Sequence, residues 1–163
     1  MRDFRKIDAW RLAGDFAVAI FQGTRTFPHE ELYGLTCQLR RAASSVPANI
    51  VEGSARESRN EYLHFLHIAR GSLAEAQYFV HLASRLGYLD DASSVLLTAQ
   101  GRQVFACLHG LIVAVGKEAR RLPARPPRSG DLAAEETQEA YPVGPAPAPE
   151  CFSLRSSRNP VVL

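Results

Sequence analysis

From Tyr62 to Ala83 an apolar or aromatic side chain returns at alternating steps of four and three: Tyr62, Leu66, Ala69, Leu73, Ala76, Val80 and Ala83. That alternation is the period of an α-helix, and side chains so spaced line one face. A stripe kept up for about six turns demands helices to cover it. A second stripe beside it, Phe65, Ile68, Phe79, Leu82 and Leu86, widens the apolar arc and invites a packing partner beyond one bundle.

The rest of residues 7–122 follows the same period, with no strand-like alternation. Trp10, Ala13, Ala17, Ile20 and Thr24 mark a first helix that stops at Phe27-Pro28, because a residue before proline disfavours the α region. Leu32, Leu35, Leu39, Ala42 and Val46 mark a second, from Glu30 to Glu52, with Pro47 predicting a kink and Gly53 a stop. Ser58-Arg59-Asn60-Glu61 reads as a capping box opening the third. Gly87 ends it, Asp90 or Asp91 caps a fourth, and Leu97, Gly101, Val104, Leu108, Leu111 and Val115 carry that one to Leu122. Short connections make neighbours antiparallel, so the expected fold is all-α: an up-down-up-down four-helix bundle over residues 1–122.

Composition sets the limits of this unit. Of the 10 prolines, 8 fall between Pro123 and Leu163, a density at which neither helix nor sheet propagates. Residues 123–163 are therefore expected to form a disordered tail. The chain is 46% apolar and 22% charged, an ordinary globular balance that excludes collagen-like repeats and wholesale disorder. Cys37, Cys107 and Cys151 lack CxxC spacing, which argues against a disulfide framework or zinc site and fits a reducing cytoplasm. The charged start MRDFRKIDAW lacks an apolar signal core. Val104–Val115, the longest apolar run, spans 12 residues around His109, too short for a membrane span.

Net charge is +2, but antiparallel topology concentrates it. One pole gathers nine basic residues, Arg2, Arg5, Lys6, Arg11, Arg56, Arg59, Lys117, Arg120 and Arg121. Against them stand six acids, Asp3, Asp8, Glu52, Glu57, Glu61 and Glu118, an excess of three positive charges. Arg5, Lys6, Arg56, Arg59, Lys117, Arg120 and Arg121 are the nucleic-acid-binding candidates, since a concentrated positive field attracts polyanions.

Residues 27–89 resemble a known family. Phe27, Pro28, Glu31, Gly34 and Leu35 match its first motif. Gln38, Arg40, Arg41, Ala42, Ser45, Asn49, Ile50, Glu52 and Gly53 match its second, and Ala69, Gly71, Ser72 and Glu75 its third. Together with the opening DAWRLA, residues 5 to 120 are similar to the four-helix bundle proteins encoded in intervening sequences of 23S ribosomal RNA genes. The resemblance implies a bundle that assembles as a homo-oligomeric ring, commonly a pentamer. It also implies a relation to the accessory proteins of diversity-generating retroelements, whose basic rings bind nucleic acid and a reverse transcriptase.

Other candidates have structural readings. Pairing across the hairpin sets Glu75 near Arg40 and Arg41, where a buried or half-buried ion pair is expected because carboxylates are seldom buried alone. Asn49 and Tyr62 are expected to face each other. His64 and His67 lack further metal ligands. Arg59–His64 and Arg102–His109 have the Arg-to-His spacing of helical HEPN RNases, at a frequency that chance supplies. The sequence therefore reads as a non-enzymatic, cytoplasmic, ring-forming bundle without cofactor or metal. Its expected role is binding RNA or DNA, or serving a reverse transcriptase or other ribonucleoprotein. A HEPN-like metal-independent RNase and a purely protein-binding scaffold are the alternatives.

Overall fold

The computed structural model describes residues 2–121, with side chains through residue 119. The expected tail, Cys151 and the side chains of Arg120 and Arg121 lie outside the described residues. Four helices account for most of the chain: α1 (Asp8–Gly23), α2 (Leu35–Ala55), α3 (Arg59–Arg85) and α4 (Asp91–Arg121). Single 3-10 turns occupy Phe4–Lys6, Thr24–Thr26 and His29–Glu31, and no strand occurs among the described residues. No helix there is long and apolar enough to cross a membrane.

Consecutive helices pack on each other and α4 closes against α1. Side-chain contacts give the directions. Arg40 of α2 reaches Thr24 after α1, while Arg2 before α1 bonds Ser54 near the end of α2. Ser45 meets Ser72 and Arg41 meets Glu75 across the α2–α3 seam. Arg59 meets Glu118 at one end of the α3–α4 seam, and Gln77 lies beside Gly101 farther along. As one helix advances its neighbour retreats, which is the antiparallel bundle expected.

The long stripe is the heart of the core: all seven of its residues are buried. Phe16 and Ile20 from α1, Leu39, Val46 and Ile50 from α2, and Val104 and Leu108 from α4 close over it. On α4 the stripe ends on Ile112 and Val115, with Leu111 only half-buried.

Three local features differ from the expectations. The second helix starts at Leu35, not Glu30, because the chain takes a 3-10 turn and bends at Gly34 (φ −93°, ψ −118°), leaving Leu32 exposed. Glu31 caps the delayed start: its Oε2 accepts the Leu35 N–H at 2.9 Å. Gly53 does not stop α2, which runs on to Ala55; a Cβ there would sit 2.8 Å from Phe65 Cβ and 2.9 Å from Tyr62 Cδ2, so the glycine permits the tight α2–α3 crossing. Ser58 holds the N-cap position of α3 without a side-chain bond, so the capping box is not closed.

Two helix ends match their signals. Gly87 adopts φ 73°, and its N–H and that of Tyr88 return to the Ser84 and Ala83 carbonyls, the paired closure that a left-handed glycine allows. Asp90 caps α4, its carboxylate accepting the Ser93 N–H at 2.8 Å and the Ser93 hydroxyl at 2.9 Å. Helix α2 runs through Pro47.

Candidate nucleic-acid interface

The end of the bundle that holds the N-terminus is organised by the chain's first residues lying across the α2–α3 connection. Arg2 donates its N–H to the Ser54 carbonyl at 3.3 Å and its Nη1 to the Arg56 carbonyl at 3.2 Å. This fixes its guanidinium 4.7 Å above the Tyr62 ring. Arg5 lies 4.9 Å over Phe4, which packs edge-on against Trp10. Cations held over aromatic faces are oriented and partly desolvated without being neutralised. Burial raises the Tyr62 hydroxyl pKa above its ordinary value while Arg2 works against the rise, so the phenol stays protonated at neutral pH.

The candidate cations divide into two groups. Arg56 pairs with Glu52 at 2.6 Å while lying over Phe65, Arg59 pairs with Glu118 at 3.3 Å, and Arg11 reaches Asp8 and Asp15 at 3.7 Å each. These are salt-bridged surface residues. The side chains of Arg2, Arg5, Lys6 and Lys117 form no ion pair among the described residues, although the Arg5 backbone N–H donates to the Asp3 carboxylate at 3.1 Å. Sequence reasoning placed all of them at one end; it had no signal for which would keep a free charge.

The expected ion pair is corrected. Arg41 Nη2 meets Glu75 Oε1 at 3.4 Å, with side chains 60% and 42% exposed, so the pair is not buried. Arg40 takes no part: its Nε donates to Thr24 Oγ1 at 2.7 Å and its guanidinium lies over Phe21. Adjacent helical residues point about 100° apart, so one helix face cannot offer both arginines to Glu75. Asn49 does not face Tyr62 either; its Nδ2 donates to the Ser45 carbonyl and hydroxyl, and Ser45 in turn meets Ser72 at 3.0 Å.

Two of the histidines pack on aromatic rings. His64 packs edge-on to Phe65 and His109 stacks on Phe105. Arg59 points to α4, whereas His64, five residues on, lies about 140° around the helix. Among the described residues no three His, Cys, Asp or Glu side chains converge. Burial, with Asp8 adding to it and Arg11 opposing, raises the Cys107 thiol above its ordinary range, unlike a reactive thiolate.

The bundle, its register and the seam polar groups can be set beside known proteins. The model of the 23S rRNA-intervening sequence protein family matches residues 5–110. The chain belongs to this family. It is also similar to the crystal structure of a protein of unknown function from the S23 ribosomal protein family of Bacteroides thetaiotaomicron, with 23% identity and a TM-score of 0.60 over 64% of this chain and 95% of that one. No curated protein matches the chain. In this member of the 23S rRNA-intervening sequence protein family, the motif positions hold the hairpins together. Glu31 and Gly34 set the start of α2, Gly53 sets the α2–α3 crossing, and Ser45, Ser72 and Glu75 bind the same seam.

Proposed function

We propose that this chain is a non-enzymatic nucleic-acid-binding bundle that acts as a homo-oligomer, with five copies in a ring as the size suggested by the family resemblance. It would serve as the accessory of a ribonucleoprotein, a reverse transcriptase being the kind of partner expected. The observation that carries this reading is the set of four unneutralised cations at one end, Arg2, Arg5, Lys6 and Lys117, two of them over aromatic rings. Repetition around a ring multiplies that field on one rim. Phosphate contacts made this way position a polyanion without reading its sequence.

Fluorescence anisotropy with a labelled RNA at two salt concentrations tests the proposal. Four phosphate contacts per protomer give a slope of about −3 in log affinity against log salt for a single strand. Arg2, Arg5 and Lys6 changed together to Glu should abolish binding while the helical circular dichroism signal persists. Salt-insensitive binding, or binding unchanged in that triple variant, would refute it.

A further inference from the structure

The α3–α4 face carries a second set of features, which shares only Lys117 with the helix-end cations. Near the basic end a cleft of about 460 Å³ opens between the two helices, with Asn60, His67 and Lys117 around an apolar floor of Leu63, Ile112 and Val113. Farther along the same seam a second cleft of about 220 Å³ presents Gln77, His81 and Arg102 around Val80 and Leu97. Each therefore combines an amide, an imidazole and a cation with an apolar floor. Between them on α4, Phe105 and His109 stack with rings 5° from parallel, and Phe105 is 46% exposed.

Between its ends this face carries no carboxylate, and Glu118 at the basic end is paired with Arg59. Neither cleft is lined by a carboxylate, and α4 carries no acidic residue between Asp91 and Glu118. Glu75 on α3 turns to Arg41 of α2 instead. Neither Arg102 nor Lys117 has an ion-pair partner among the described residues. An acidic peptide would need the cations alone. The apolar floors, the edge-bonding amides and the exposed ring pair suit flat heteroaromatic groups joined by phosphates.

We infer that the α3–α4 face binds single-stranded nucleic acid, with a base in each cleft, another on the Phe105–His109 pair, and the phosphates against Arg102 and Lys117. This rests on the nucleic-acid reading above and adds the surface and strandedness. Arg102 and Lys117 are 15 residues apart, about 22 Å along a helix, which about six stacked nucleotides span at roughly 3.4 Å each. Stacking on aromatic side chains tolerates any base sequence and requires bases free of a duplex.

The test measures the full chain against a fluorescein-labelled oligouridylate of about twelve nucleotides, a duplex of equal length, and polyglutamate as competitor. Phe105→Ala should weaken single-strand binding about tenfold and leave duplex binding within about twofold, because paired bases cannot reach the ring. Arg102→Glu should weaken the single strand at least about tenfold, with recovery in Arg102→Lys. Unchanged single-strand affinity in both variants, with loss in the Arg2, Arg5 and Lys6 reversal, overturns the inference and leaves the helix-end reading standing. No binding of any oligonucleotide by the wild type overturns both. A change of assembly mass in Arg102→Glu would assign the face to a second copy of the chain. Equal competition by polyglutamate, insensitive to Phe105→Ala, would make it a charge-only protein surface; each of these results also overturns it.

Discussion

Arg41 and Glu75 join the middle of α2 to the middle of α3 through a 3.4 Å contact that solvent reaches from both sides. Such a pair gains little, because water screens the attraction and two long side chains lose freedom in making it. Glu75→Ala should lower stability by less than about 1 kcal/mol, read by urea denaturation. A loss of about 3 kcal/mol or more would be the signature of a buried arginine left unpaired and would contradict the exposed geometry.

The two glycines that flank this seam should respond oppositely to the same substitution. Gly53→Ala pushes a methyl group into Phe65 and Tyr62 at under 3 Å, and overpacking of that kind costs about 1–3 kcal/mol. Gly71 lies on the exposed side of α3, and a methyl group added there would meet nothing within 4 Å. Gly71→Ala should therefore stabilise the chain by up to about 1 kcal/mol through helix propensity. Thermal melts of the two variants check both signs.

How far the sequence exposed this architecture follows from which signals are one-dimensional. The α3 stripe needed nothing but spacing, and every residue named in it is buried. Gly53 and Gly87 look alike as helix stops, yet Gly87 takes positive φ and Gly53 is a site of close approach; the difference lies in a neighbouring helix. Arg40 and Arg41 are neighbours in sequence and face different helices, so assigning Glu75 to one of them required the phase of α2. Glu31 caps α2 from four residues upstream, across a bend, outside the usual cap position. For the basic end the charges were legible and their partners were not: Arg56 and Arg59 are neutralised by Glu52 and Glu118, whereas Arg2 and Arg5 rest on rings.

Asp90 supplies a pH prediction. Hydrogen bonds from the Ser93 backbone and hydroxyl hold its carboxyl below the ordinary aspartate value in the folded chain. A depressed folded pKa means the unfolded chain takes up the proton more readily. The contribution is therefore present above the unfolded pKa of about 3.9 and is lost as pH falls through the lower folded value. Asn caps helices about as well as Asp and does not titrate in this range. Asp90→Asn should thus remove part of the acid-induced fall in melting temperature while leaving the melt near neutral pH little changed. An identical acid limb in both proteins would show that the cap does not carry the linkage.

The last prediction concerns assembly, and it is separable from the nucleic-acid face by helix geometry. Phe65, Ile68, Phe79, Leu82 and Leu86 line the side of α3 nearer α2; Ile68 and Leu86 are exposed and the other three half-buried. Leu63, His67, Gln77 and His81 turn instead toward α4. Copies of the chain that meet through the α2-side stripe would leave the α3–α4 clefts open to a ligand. Ile68→Asp should then reduce the mass found by sedimentation velocity from about five chains, the size the family resemblance implies, toward the 17.9 kDa of one chain. Because Ile68 lies on the bundle surface, its replacement should alter the stability of the isolated chain by no more than about 0.5 kcal/mol. Any larger fall in melting temperature should depend on protein concentration, as expected when assembly stabilises the fold. A wild-type chain that sediments as a monomer at micromolar concentration would refute the assembly, and a variant that keeps the full mass would move the interface to another face.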